Sequence, residues 1–129
     1  MIGQPVVLLV DDNENGLDML QRRLSRAGYS VITAMDGEAA VTRAVAYIPD
    51  IVLMDKRLPR LDGLSAVRRI RADAGTRDIP VICLTADATA EDRQAALDVG
   101  CQQFLTKPVD FRLLLATMAA LLDSAAGRD

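Results

Sequence analysis

The sequence contains no histidine, only two cysteines and few aromatic residues, and each shortage excludes a kind of site or core. Because there is neither a histidine nor a C-x-x-C spacing, we expect no zinc site and no disulfide. Aromatic residues make up 3% of the chain, so the core must be built from aliphatic side chains. Aliphatic cores of this kind suit parallel strands that are covered by helices.

The chain also lacks a concentration of positive charge and a long apolar run. Its formal net charge is −3, which argues against a nucleic-acid partner because such a partner needs a basic surface. No apolar run approaches the roughly 20 residues of a transmembrane helix, and residues 1–5 do not resemble an export signal. We therefore expect a cytoplasmic protein that binds neither nucleic acid nor a membrane.

A length of 129 residues is that of one domain. We place this domain at residues 4–123, followed by a short polar tail at 124–129, and we expect no output domain. Met1 lies close to the first predicted strand, which favours a stand-alone protein.

Short apolar runs alternate with helical patterns along the chain. This rhythm predicts an α/β fold with a doubly wound, five-stranded parallel sheet flanked by five helices. Asp36 is a candidate cap for the second helix, and Thr89 with Asp92 forms a candidate capping box for the fourth. The fourth helix offers mainly alanine to the core, which predicts loose packing. The predicted strands are Val6–Val10, Ser30–Ala34, Ile51–Met54, Val81–Leu84 and Gln103–Thr106.

Polar side chains follow four of these strands. Asp11 and Asp12 come after the first strand, Asp55 after the third, Thr85 after the fourth and Lys107 after the fifth. The carboxyl edge of a parallel sheet is where open α/β folds bind ligands. Crowded carboxylates repel one another, so a cation is expected between the three acids, and Mg²⁺ is favoured by their oxygen ligands.

This arrangement predicts phosphoryl chemistry. Asp55 is placed to act as a carboxylate nucleophile that forms an acyl phosphate. The metal ion and Lys107 would share the charge on the phosphoryl oxygens, and Thr85 offers a hydroxyl to a third oxygen. Taken singly, each residue has a plainer interpretation as a helix cap, a turn residue or a solvated charge. We favour the functional interpretation because coincidence would have to operate at four separate strand ends.

The motifs at these positions resemble those of a known family over nearly the whole chain. With them, the sequence resembles the receiver domain of bacterial two-component response regulators, including the single-domain chemotaxis type. The resemblance implies a flavodoxin-like sheet of strand order 2-1-3-4-5. The motifs are Asp11-Asp12, Asp55 with Leu58-Pro59 and Asp62-Gly63, Thr85-Ala86, and Lys107-Pro108.

The resemblance also implies partners and a metal site. Asp55 would accept a phosphoryl group from a phosphohistidine on a histidine kinase or a histidine phosphotransfer protein, since this chain has no histidine of its own. Asp12, Asp55 and the backbone carbonyl of Arg57 would bind Mg²⁺ directly, and Asp11 would help through a water molecule. Lys107 would pair with the phosphoryl group.

A conformational switch is implied as well. Phosphorylation would draw Thr85 inward and vacate space for rotation of Phe104, and the fourth helix would shift. Phe104 stands where the family often has tyrosine, and an ordinary buried aromatic is an equally good interpretation of it. Two further residues, Arg57 and Asp87, are expected to form an ion pair at the mouth of the site that hinders the attacking water.

The leading functional prediction is therefore a phosphorylation-dependent signalling switch, not an enzyme, that acts on an unknown target protein. A receiver excised from a hybrid histidine kinase is an alternative, and a homodimer through the fourth and fifth helices is left open. A dehalogenase-like phosphatase or phosphotransferase is a less favoured alternative, because Arg57 stands where those enzymes need a second aspartate. A constitutive interaction domain and a flavin or dinucleotide binder are less favoured still.

Overall fold

The computed structural model describes residues 3–86 and 89–126. Within these residues five strands alternate with five helices, and the strands agree with the predicted ones to within one residue. The elements are β1 (Val6–Val10), α1 (Glu14–Arg26), β2 (Ser30–Ala34), α2 (Gly37–Tyr47), β3 (Ile51–Asp55), α3 (Gly63–Ala72), β4 (Val81–Thr85), α4 (Ala90–Asp98), β5 (Gln103–Thr106) and α5 (Phe111–Ala126).

The strands form one parallel sheet of order β2-β1-β3-β4-β5. The predicted fold class and strand order are both confirmed. β3 and β4 each run one residue further than predicted, so that Asp55 and Thr85 are the last residues of their strands. Asp55 lies opposite Leu84, and Thr85 lies opposite Thr106, which sets these strand ends side by side at one edge.

Each face of the sheet carries its own apolar core. Successive side chains of β1 point to opposite faces, with Leu8 on one side and Val7 on the other. The first core lies under α2, α3 and α4, and the second under α1 and α5. β3 and β4 are buried along their whole length, which explains why they consist of apolar runs without alternation.

The helices begin at polar caps that the sequence displays. Asp36 accepts a hydrogen bond from the backbone N of Ala39 at 2.7 Å, as predicted. Thr89 accepts one from the backbone N of Asp92 at 3.0 Å, which confirms the capping box of α4. Of the residues in α4, Ala96 alone is buried, and none of the described helices is long and apolar enough to cross a membrane.

Candidate functional site

Three acidic side chains converge at the carboxyl edge of the sheet. Asp11 and Asp12 follow β1, and Asp55 ends β3; one carboxylate oxygen from each lies within 4.8 Å of the others. Asp55 is 7% exposed, whereas Asp12 is open to solvent. Asn13, rather than either aspartate, caps α1 by accepting a hydrogen bond from Gly16 N at 3.0 Å. The plainer interpretation of Asp11 or Asp12 as that cap is therefore wrong.

Lys107 neutralises part of this cluster. Its Nζ atom lies 3.0 Å from Oδ2 of Asp11 and 3.1 Å from Oδ2 of Asp55. Burial of the ammonium group would lower the pKa of Lys107, but hydrogen bonds and charge from Asp11 and Asp55 outweigh burial and raise that pKa. Lys107 is thus bound to the acidic cluster and is not a solvated charge.

Lys107 does not offset the full cost of a negative charge on the buried Asp55. Burial raises the pKa of Asp55, and the charge of Asp11 raises it further. Lys107 and the backbone N–H of Arg57, which lies 3.3 Å from Oδ1 of Asp55, oppose this rise without cancelling it. An ionised Asp55 is therefore held in an environment that disfavours its charge, and a bound cation would relieve that cost.

The loop after β3 folds back onto the end of the strand. The backbone N of Gly63 donates to the carbonyl oxygen of Lys56 at 2.9 Å. A Cβ atom at Gly63 would lie 2.0 Å from the carbonyl oxygen of Asp55, so glycine is required by space at this position. Asp62 then caps α3 by accepting from Ser65 N at 3.0 Å. This close return fixes the backbone from which the Asp55 side chain projects.

Thr85 ends β4, and Phe104 lies on the neighbouring strand β5 opposite Cys83. Both side chains are buried, and Phe104, which is 4% exposed, packs in the core beneath α2, α3 and α4. The guanidinium of Arg93 lies 5.0 Å from the centre of the Phe104 ring, within the range of a cation–π contact. The rotation of Phe104 that is expected when Thr85 moves inward would thus start from a ring that is already buried.

Arg57 lies at the mouth of a cleft of about 460 Å³ lined by Asp12, Lys56, Arg57, Leu58, Pro59 and Asp62. Its predicted partner Asp87 lies outside the described residues. The ion pair between them therefore stays a prediction.

Sequence reasoning missed one residue beside the site. Lys56, which directly follows Asp55, forms an ion pair with Asp92 in the first turn of α4. The hydrogen bond from Lys56, together with that from Thr89, lowers the pKa of Asp92. The sequence had suggested Asp92 only as a partner in the helix cap. The one signal available was a basic residue adjacent to the candidate nucleophile.

A model of the response regulator receiver domain matches residues 7–119. The chain belongs to this family. Receiver domains take phosphoryl groups from histidine kinases, so this receiver domain has a signalling role in a two-component system, and the family predicted from the sequence is confirmed.

Individual relatives agree with this assignment. The receiver domain is 40% identical over 115 residues to the response regulator PleD of Caulobacter vibrioides, covering 89% of this chain and 25% of that protein. It is 41% identical over 116 residues to the response regulator MprA of Mycolicibacterium vanbaalenii, covering 90% of this chain and 49% of that protein. The chain therefore spans only a quarter to a half of these relatives.

A solved structure matches over nearly its full length. It is the receiver domain of the sensor histidine kinase PA1611 from Pseudomonas aeruginosa, with a TM-score of 0.87 and 38% identity. The match covers 95% of this chain and 99% of that one, and that structure holds a magnesium ion coordinated in its active-site cleft.

Proposed function

We propose that this receiver domain accepts a phosphoryl group on Asp55 from a phosphohistidine of a histidine kinase or a histidine phosphotransfer protein. The supporting observation is the position of the Asp55 carboxylate. It is buried at the carboxyl edge of the sheet, bonded to Lys107 and close to two further carboxylates. In the transfer, an oxygen of Asp55 forms a bond to phosphorus as the bond from phosphorus to the histidine nitrogen breaks and the imidazole leaves.

The three acids fit a magnesium ion. The ligands on offer are carboxylate oxygens, the ligands that a hard divalent cation prefers. Burial, and to a lesser extent the charge of Asp11, raises the pKa of Asp55, so a bound cation would stabilise its charged form. Asp12, Asp55 and the carbonyl of Arg57 would hold the ion directly, with Asp11 acting through water. Bound magnesium would supply positive charge to the phosphoryl oxygens.

Lys107 and Thr85 act on the transferred group from the ends of β5 and β4. The Lys107 ammonium already contacts Asp55, so a short movement brings it to a phosphoryl oxygen. Thr85 ends β4 next to β3 and supplies a hydroxyl to another oxygen. Movement of Thr85 would then alter the packing of Phe104 and the position of α4. These changes together would carry the signal.

The mouth of the site would control how long the phosphoryl group remains. Arg57 is exposed at the edge of the cleft, and pairing with Asp87 would hinder the water that hydrolyses the acyl phosphate. We expect the Arg57→Ala variant to lose its phosphoryl group faster than the unaltered protein. An unchanged rate of dephosphorylation would count against this role.

The exposed apolar side chains of α4 and α5 are proposed as contacts for the unknown target or for a second copy of the chain. Leu97 on α4 is 44% exposed and Leu113 on α5 is 51% exposed, although both are large apolar side chains. Sedimentation velocity with and without phosphorylation tests the dimer. An increase in the mass of the sedimenting species on phosphorylation, abolished by Leu113→Ser, would support the dimer.

Intact-mass spectrometry tests the central proposal. Acetyl phosphate with magnesium should add one phosphoryl group to the protein, and chelation of the metal should prevent this. Asp55→Asn should gain none. Asp98→Asn, which alters an exposed acid on α4 away from the cluster, should be modified as the unaltered protein is. Modification of Asp55→Asn to the same extent would refute the assignment.

A further inference from the structure

Among the residues that the structure describes, the first turn of α4 forms an ion pair and a cation–π contact with the body of the domain. Asp92 is paired with Lys56 at the end of β3, and the next residue, Arg93, lies over the ring of Phe104 in β5. Few apolar contacts anchor α4, since Ala96 is the one buried residue within Ala90–Asp98. These two contacts therefore supplement a small apolar anchor.

Lys56 lies near two sources of negative charge, the acidic residues of the cleft and Asp92 of α4. It is one of the residues that line the cleft with Asp12 and Arg57, and its ammonium group bonds to Asp92. The side chains of Lys56 and Asp92 are 23% and 22% exposed, so water screens this pair less than it screens a surface pair. The backbone N of Lys56 donates to the carbonyl oxygen of Leu84 at 3.2 Å, which fixes the base of the side chain.

Phosphorylation of Asp55 would increase the attraction of the cleft for Lys56 relative to that of Asp92. An acyl phosphate on Asp55 carries about one more negative charge than the free carboxylate and offers three strong acceptor oxygens. Lysine has a flexible stem and three donors that it can redirect. The modified Asp55 would therefore compete with Asp92 for the ammonium group of Lys56.

We infer that Lys56 is a positioning residue whose ion pair with Asp92, called the clasp below, holds α4 at the rim of the site. The phosphoryl group on Asp55 draws Lys56 away from Asp92. This inference rests on the proposed phosphorylation of Asp55. Release of Lys56 would leave the helix cap in place, since Thr89 Oγ bonds to both the backbone N and Oδ2 of Asp92, at 3.0 and 2.7 Å. α4 would move as an intact helix.

The two partners of the clasp should have opposite effects on a bound phosphoryl analogue. In Asp92→Asn, Lys56 is no longer held by a full charge, so beryllofluoride with magnesium should bind about two- to five-fold more tightly. In Lys56→Gln, the cleft loses a donor, and binding should weaken by about the same factor. In the double variant, the gain from Asp92→Asn should disappear because its cause is absent.

Hydrogen exchange of α4 gives an independent measurement. Both single variants, without ligand, should exchange the amides of Ala90–Asp98 about two- to five-fold faster than the unaltered protein. Arg69→Gln is the matched control, since it removes an ion pair between α3 and α2, at 3.0 Å from Glu38, that does not involve α4. It should alter neither the exchange of α4 nor the binding of beryllofluoride.

The outcomes separate this inference from the proposal on which it rests. If the unaltered protein gains no phosphoryl group and binds no beryllofluoride, both are wrong. If the unaltered protein gains a phosphoryl group and binds beryllofluoride, changes of the same sign in the beryllofluoride affinity of the two single variants would overturn the clasp alone. Persistence of the Asp92→Asn gain in the double variant, or unchanged exchange in α4, would overturn it equally.

Discussion

Lys107 Nζ lies 3.1 Å from Oδ2 of Asp55, and the backbone N of Lys107 donates to the carbonyl oxygen of Thr85 at 2.8 Å. The ammonium group that neutralises the end of β3 is therefore held by the backbone of β4. Because Nζ also contacts Asp11 at 3.0 Å, a single side chain ties together the ends of three strands. Lys107 is thus held in place at the acidic cluster by contacts with the ends of these strands.

Lys107→Met should slow phosphorylation of the domain. The variant keeps an unbranched side chain but loses the positive charge, so charge on the transferring phosphoryl oxygens is less well stabilised. We expect phosphorylation by acetyl phosphate to be about 100-fold slower, as for loss of one donor in a preorganised site. Intact-mass time courses measure this rate. Arg112→Gln, an exposed change on α5, should leave it unaltered, and equal rates in both variants would contradict the role of Lys107.

Asp55→Asn should stabilise the metal-free fold at neutral pH. Burial raises the pKa of Asp55 above its ordinary value of 3.8, so the folded state binds the proton more tightly than the unfolded state does. The stability contributed by this group is fully present below pH 3.8 and is lost as the pH rises through the folded pKa. Removing the carboxylate should therefore raise the free energy of unfolding at pH 7 by on the order of 1 kcal/mol.

Urea unfolding with a chelator present measures this difference. The advantage of Asp55→Asn should shrink as the pH falls toward the unfolded pKa, because the native carboxyl then becomes neutral. Added magnesium should also shrink it by stabilising the unaltered protein. If the advantage of Asp55→Asn were as large near pH 3.8 as at pH 7, repacking and not charge would be responsible.

The sequence predicted the strands well because each strand is a short aliphatic run. β3 and β4 are buried on both faces, so their apolar residues follow one another without polar alternation. Each strand is therefore visible in the sequence as one unbroken apolar run. The strand order was not available from this pattern. It came from the family resemblance, because order depends on which crossovers pack against which face of the sheet.

The site was predictable to the extent that it depends on strand ends. Asp11, Asp55 and Lys107 converge because parallel strands bring their carboxyl ends to one edge. The pair of Lys56 and Asp92 was not predictable, because it joins a loop to a helix 36 residues away through two flexible side chains. Its formation depends on where α4 packs, which no local pattern specifies.

Gly63→Ala should disturb both the fold and the site. The new Cβ would meet the carbonyl oxygen of Asp55 at 2.0 Å, and a backbone atom cannot move aside as a flexible side chain can. We expect a loss of about 3 kcal/mol in the free energy of unfolding and slower phosphorylation. In Gly16→Ala the nearest atom would be Asn13 Oδ1 at 3.6 Å, an ordinary contact within a helix. That control should be neutral or stabilising by up to about 1 kcal/mol, and equal losses in the two variants would contradict the steric argument.

Arg71 of α3 binds the segments that lead into β4 and β5. Its guanidinium donates to the carbonyl oxygens of Ile79 at 2.6 Å, Gly100 at 2.7 Å and Arg77 at 2.9 Å, and to Oε1 of Gln102 at 3.0 Å. These acceptors lie outside the regular hydrogen bonding of the sheet. One partly buried side chain thus satisfies backbone groups at the entry to two strands.

Arg71→Met should therefore destabilise the domain although it removes a charge from the rim of the core. Methionine can fill the apolar part of the space but leaves carbonyl oxygens without their donor, at a cost of about 2–4 kcal/mol in the free energy of unfolding. Arg71→Lys should recover only part of this loss, because one ammonium group cannot reproduce the planar set of donors. Arg69→Met, which breaks an exposed pair with Glu38, should cost less than about 1 kcal/mol. Chemical unfolding of the three variants measures these differences, and similar losses for Arg71→Met and Arg69→Met would show that the carbonyl oxygens find water instead.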